Sequence, residues 1–248
     1  MPKLLVSVRN PIEAQLVARA GVEYIDIKEP ANGSLGMAKP GTIRSCYDVI
    51  QDVNPAIEVS CACGDVIEVE QDAAGREDIG GVTIVKMGLA SLVDNRQWKQ
   101  RWRFARKHFE ASFSAKDGFR WVAVVYADAV NARSPSPEEI ISIAAETECV
   151  GVLFDTFAKH SARLPDWITF DRLMNYCELI QSQRMFCAAA GQLRIEDVQL
   201  LAPTRLDIIA VRSAACEKGD RKAKISERRI RELLTCLDQN KTPAAPVL

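Results

Sequence analysis

Eight short apolar runs recur along this 248-residue chain, with helical patterns between most of them. They are Leu4–Val8, Val22–Ile27, Ile57–Ala62, Val82–Val85, Trp121–Tyr126, Val150–Phe154, Met185–Ala189 and Leu206–Val211. The runs are rich in β-branched residues, and most lack strict polar alternation. Parallel strands covered by helices on both faces read this way. Eight strands alternating with helices in this length match an α/β protein of the (β/α)8 TIM-barrel class, a single domain. The other candidate is an open doubly-wound sheet, which would place a phosphate loop after the first strand. That turn is Val8-Arg9-Asn10-Pro11 and holds no glycine, so neither a dinucleotide nor a Walker fingerprint is present.

The helices carry start signals. Asn10-Pro11 supplies an N-cap and a first-turn proline, after which Ile12, Leu16, Val17 and Ala20 form one apolar stripe. Ser136-Pro137-Glu138-Glu139 reads as a capping box. Trp167, Phe170, Leu173, Met174, Cys177 and Ile180 fit one longer helix, and Ser226 begins the last. The barrel is expected over residues 1–238, and 239–248, with two prolines and no periodicity, as a frayed tail.

Composition narrows the function classes. A net charge of −1 gives no electrostatic footprint for nucleic acid or an anionic membrane. The aromatic and basic stretch Trp98–Lys107 resembles a nucleic-acid patch. Trp98, Trp102, Ala105 and Phe109 nevertheless fall on one helical stripe, as on an outer barrel helix. No apolar segment approaches the roughly 20 residues that span a bilayer, and the N-terminus lacks a signal-peptide core. Eight scattered cysteines without a C-x-x-C pair, and two distant histidines, argue for reduced core thiols rather than zinc. A cytoplasmic protein is expected, and apolar stripes on outer helices suit a homo-oligomer.

The strand C-termini form the active-site face of such barrels. Reading them in turn gives Asp26 and Lys28, Gly64-Asp65, Lys86, Tyr126-Ala127-Asp128, and Asp155 with Lys159 four residues on. Desolvating an unpaired ammonium is costly, but a lysine at this face can have its pKa lowered until it serves as nucleophile or base. Each charge taken singly has a plain structural role open to it. Asp26 can pair with Lys28, and Lys159 can be a solvated loop lysine. Lys86 is the hardest to explain so, being followed at once by what reads as a sharp Met87-Gly88 turn. The seventh and eighth strands end in small-residue turns containing Gly191 and Ser213, where exposed backbone N–H groups suit a phosphate. Lysines facing a phosphate pocket point to imine or enolate chemistry on a phosphorylated aldehyde or ketose, needing neither metal nor organic cofactor.

Asp26-Ile27-Lys28-Glu29-Pro30-Ala31-Asn32-Gly33-Ser34-Leu35-Gly36 resembles the D-x-K-x-P-x-x-G-S-L-G segment of the (5-formylfuran-3-yl)methyl phosphate synthase family of methanofuran biosynthesis. Weaker matches are Gly64-Asp65, Val85-Lys86-Met87-Gly88-Leu89, Tyr126-Ala127-Asp128, Phe154-Asp155-Thr156 with Lys159, Ala189-Ala190-Gly191 and Val211–Cys216. The resemblance implies a cofactor-free lyase that joins two glyceraldehyde 3-phosphate molecules with loss of phosphate and water. It implies Lys28 as the Schiff-base lysine, Lys86 as proton acceptor, and Asp26, Asp155 and Lys159 as further active-site groups. Ser34, Asp65, Asp128, Arg133, Gly191 and Ser213 are then expected to hold substrate or phosphate. The chain departs from the pattern at Asn131-Ala132-Arg133, where the family carries a further lysine. Arg133 can bind phosphate but cannot form an imine. A milder departure is Ser213 in place of a glycine. Outside this family, a class I aldolase or sugar-phosphate isomerase of the barrel type fits the same strand ends. So does a non-catalytic barrel subunit that binds a phosphometabolite.

Overall fold

The structure, a computed structural model, describes residues 1–69, 77–115, 118–159 and 162–239. Eight parallel strands close into a barrel in sequence order: β1 (Lys3–Val8), β2 (Tyr24–Ile27), β3 (Glu58–Asp65), β4 (Ile84–Gly88), β5 (Arg120–Tyr126), β6 (Gly151–Asp155), β7 (Phe186–Ala189) and β8 (Ile208–Val211). β8 pairs back onto β1, with Ala210 opposite Leu5. The covering helices begin with α1 (Pro11–Arg19), α2 (Pro40–Val53), a single turn α3 (Val66–Val69) and α4 (Trp98–Ser112). A short α5 (Ala129–Ala132), α6 (Pro137–Glu146), α7 (Leu164–Trp167), α8 (Phe170–Ser182), α9 (Ile195–Leu201) and α10 (Glu227–Gln239) follow.

The missing polar alternation has a direct cause, because both faces of every strand are covered. Outward residues such as Val6, Ile25, Val85 and Phe154 join the helices in one core. Inward residues such as Leu5, Ile84, Val122, Leu153 and Ile208 fill the barrel as a second. Gly151 is inward too, and its missing Cβ matters. A Cβ there would stand 2.4 Å from the Phe186 ring, which it faces across the β6–β7 register.

Several local expectations hold. Asn10 caps α1 through the Glu13 N–H, and Ser136 with Glu139 forms the capping box of α6. Trp98, Trp102, Ala105 and Phe109 are on the buried face of α4. All eight cysteines are buried and free.

Three differ. The single helix expected from Trp167 to Ile180 is two, because the backbone is extended at Ile168 and Thr169 and the Thr169 side chain caps α8. The α1 stripe is rotated. Ile12 is 81% exposed, while Glu13 turns inward to meet Arg212 beneath the barrel mouth. Met87 and Gly88 make no turn but continue β4, so Lys86 sits within the strand and points into the barrel. Of the expected tail, Gln239 closes α10, and 240–248 lies outside the described residues.

Candidate active site

Toward the strand C-termini the inner wall turns polar. Ser7, Asp26 and Ser60 lie side by side in the β1–β2–β3 register. All three are buried, as is Lys86. The Lys86 amine meets Asp26 Oδ1 at 2.5 Å and donates to Ser60 Oγ at 3.1 Å. Ser60 donates in turn to Asp26 Oδ1 (3.0 Å), and Ser7 to Oδ2 (3.1 Å). Asp26 therefore partners Lys86 rather than Lys28.

Across the mouth a second pair forms. The Lys159 amine lies 2.6 Å from Asp155 Oδ1 and 3.3 Å from Thr156 Oγ1. Ser34 Oγ is within 3.2 Å of Asp155 Oδ2 and 3.0 Å of the Thr156 carbonyl. Burial works against the Asp155 carboxylate, yet Lys159 and Lys28 outweigh it and hold its pKa below the usual range. Burial lowers Lys159 below an ordinary lysine, against the pull of Asp155. Lys159 is thus paired and largely buried rather than solvated.

Lys28 stands apart from both pairs. Its backbone N–H continues the ladder to the Val8 carbonyl, while its amine, among the described residues, reaches only the Ser34 carbonyl, at 3.4 Å. Burial brings its pKa down from 10.5 to about 8, with the positive charges of Lys159 and Arg221 pushing the same way and Asp155 and Asp26 opposing. At pH 7 roughly a tenth of such an amine is neutral, against fewer than one in a thousand ordinary lysines.

Lys28, Lys86, Asp26, Asp155, Lys159, Gly191 and Ser213 all line one cavity at the mouth. Gly191 takes φ +103°, and a Cβ there would press on Thr156 and Leu164 at 3.0–3.2 Å.

Four expected binding residues do not line it. Ser34 is buried behind the wall, its hydroxyl engaged by Asp155 and the Thr156 carbonyl. Asp65 accepts from Tyr126 Oη (3.0 and 3.1 Å) and the Ala90 N–H (2.9 Å), tying β3 to β4 and β5. Desolvation raises its pKa to about 6. Asp128 accepts from the N–H groups of Phe157 (2.6 Å) and Ala158 (2.9 Å), so it shapes the loop that delivers Lys159. Arg133 is exposed, pairs with Asp94 and borders a different surface depression. Its backbone is left-handed (φ 48°) where α5 ends.

Sequence reasoning misses four groups. Ser7 and Ser60 are accessible to it in principle, since they alternate in phase with inward Leu5 and Ala62. Arg212 is visible at a strand end, though nothing local assigns it a role. Arg221 sits in a loop with no periodic signal, and only the fold brings it to the cavity. Among the described residues, no cluster of His, Cys, Asp and Glu could hold a metal ion.

Residues 4–234 match the family model described as 4-HFC-P synthase. The chain belongs to the 4-HFC-P synthase family. Two relatives are both named (5-formylfuran-3-yl)methyl phosphate synthase. That of Methanopyrus kandleri is 33% identical over 242 residues, covering 95% of this chain and 99% of the relative. That of Methanocaldococcus jannaschii is 30% identical over 236 residues, covering 93% and 97%. Solved structures support the family's barrel. A 3-hexulose-6-phosphate synthase from Salmonella typhimurium superposes with TM-score 0.58 at 16% identity, covering 96% of this chain and 99% of that one. An N-(5'-phosphoribosyl)anthranilate isomerase from Pyrococcus furiosus gives 0.56 at 12%, covering 96% and 100%. No helix among the described residues of this family member is long and apolar enough to cross a membrane.

Proposed function

We propose that this chain joins two glyceraldehyde 3-phosphate molecules into (5-formylfuran-3-yl)methyl phosphate through an imine on Lys28, for methanofuran-type C1-carrier biosynthesis. By atom balance the reaction releases one phosphate and two waters and involves no net oxidation or reduction. The observation that carries this reading is the Lys28 amine. It faces the mouth cavity, has no carboxylate partner among the described residues, and has its pKa drawn to about 8. The names of the relatives support the product.

The neutral amine adds to the aldehyde carbon, and loss of water leaves the C=N bond. That bond withdraws electrons from the adjacent carbon, whose proton then becomes removable. The freed electron pair forms a carbon–carbon double bond as the phosphate on the following carbon departs with its C–O electrons. Lys86 starts as an ammonium against Asp26. Once it has given a proton to departing hydroxide, it is the neutral acceptor that the carbon acid needs. Ser60 and Ser7 hold Asp26 in place through these transfers. Lys159 offsets charge on the leaving phosphate, oriented by Asp155. Eight free cysteines fit work in the reducing cytoplasm on a phosphorylated small molecule.

Incubation with glyceraldehyde 3-phosphate alone should give a furan chromophore and inorganic phosphate in equal amounts; no furan would sink the reading. Borohydride added during turnover should fix substrate mass on Lys28, and mass on Lys86 alone would reverse the two roles.

A further inference from the structure

Three of the five cations lining the mouth cavity are already neutralised. Lys86 faces Asp26 at 2.5 Å, Lys159 faces Asp155 at 2.6 Å, and Arg212 faces Glu13 at 2.8 Å. That leaves Lys28 and Arg221, neither of which has a carboxylate in ion-pair contact among the described residues. Lys28 is accounted for by its amine chemistry. Arg221 is not accounted for by anything in the fold.

Its side chain makes one hydrogen bond, from Nη2 to the Gly33 carbonyl at 3.3 Å, so most of its five N–H groups have no protein acceptor among the described residues. Its backbone, by contrast, is held firmly. Arg212 Nε donates to the Arg221 carbonyl at 2.8 Å, and Arg212 itself is fixed by Glu13 and by the Ser7 carbonyl (2.7 Å). The loop base is closed by the antiparallel bridge between Cys216 and Ile225. A pinned backbone with an unpaired, partly buried guanidinium at a cavity wall is an arrangement for an anion. A guanidinium keeps its proton near neutrality, so it binds rather than transfers protons. Its fork also matches phosphate oxygens two at a time.

We propose that Arg221 binds the phosphate of the triose phosphate whose aldehyde meets Lys28, with Arg212 as the positioning residue for its loop. This rests on reading the cavity as a triose-phosphate site. Lys159 cannot take the role alone, because Asp155 already offsets its charge.

The test measures inorganic phosphate binding to the full chain by calorimetry, beside steady-state kinetics with glyceraldehyde 3-phosphate. Loss of a charge-assisted hydrogen bond corresponds to about a 10- to 100-fold weakening. Arg221→Ala should therefore weaken phosphate binding and raise KM by that order, with a smaller fall in kcat. Arg221→Lys should recover part of both, since it restores charge without the fork. Unchanged phosphate affinity and KM in either variant, or no phosphate binding by the unaltered chain at millimolar concentration, overturns the proposal. If Arg221→Ala fails to fold, Arg221→Lys and Arg221→Gln decide by the same readouts. Phosphate binding that depends on Arg221 without furan formation would sink the reaction assigned above and leave this inference standing. Furan formation with Arg221 irrelevant to phosphate would do the reverse.

Discussion

The Lys86 ammonium lies 2.5 Å from the Asp26 carboxylate, and both side chains are more than nine-tenths buried. Two serines complete the carboxylate's hydrogen bonds. A charge pair so deep in a barrel is stabilising only while both partners are present, because either alone would be a desolvated ion.

Lys86→Met should therefore cost about 3–5 kcal/mol of unfolding free energy, since it strands the Asp26 carboxylate. Combining it with Asp26→Asn should recover most of that loss while activity stays absent. Urea unfolding of the unaltered chain, the two single variants and the double variant measures the coupling. Simple additivity of the two single losses would contradict the pairing.

Lys28 has a pH signature of its own. Its pKa is about 8 in the fold, against 10.5 ordinarily. Between those values the unfolded chain holds a proton that the native amine has lost, so stability rises with pH. Lys159, lowered in the same direction, adds to the slope. Lys28→Met should flatten the rise in thermal midpoint from pH 8 to 10. In the unaltered chain kcat/KM should climb toward a plateau above about pH 8. A flat profile there would remove Lys28 as the titrating nucleophile.

Asp65 should act in the opposite sense at lower pH. Its pKa is raised from 3.8 to about 6, chiefly by desolvation, so the native state keeps a proton that the unfolded state has released. Its contribution is full below pH 3.8 and declines as pH rises through 6. Asp65→Asn should remove that decline. Stability curves of the two proteins that run parallel from pH 4 to 6 would refute it.

The floor of the barrel gives a steric prediction. Gly151→Ala places a Cβ 2.4 Å from the Phe186 ring. Overpacking of this kind costs about 1–3 kcal/mol. Phe186→Leu in the same chain should relieve part of it, as judged by the shift in the urea midpoint. No relief would mean that the strain lies elsewhere.

Lys28, Lys86, Asp155 and Lys159 are all legible as candidates without the fold, because each follows or ends an apolar run whose C-terminus must face the mouth. Asp65, Asp128 and Arg133 satisfy the same rule, yet none lines the cavity. Closeness to a strand end fixes the end of the barrel, not the direction of a side chain. Asp65 turns to Tyr126, where Gly88 leaves room: a Cβ at Gly88 would lie 2.2 Å from Asp65 Oδ1. Arg133 falls one helical turn past its strand, where it pairs with Asp94 beside a different depression.

From its sequence alone this protein determined eight buried strands, the closed-barrel class and a cationic mouth. Short-range periodicity and the cost of burying charge are properties of local chain. The tertiary structure alone decided which charges meet. It paired Asp26 with Lys86 instead of Lys28, left Lys28 without a counter-ion among the described residues, and drew Glu13, Arg212 and Arg221 together from the two ends of the chain. Coulomb energy depends on separation and on the surrounding dielectric. Both are set by the packed barrel, where β8 lies beside β1 and side chains far apart in sequence meet at one mouth.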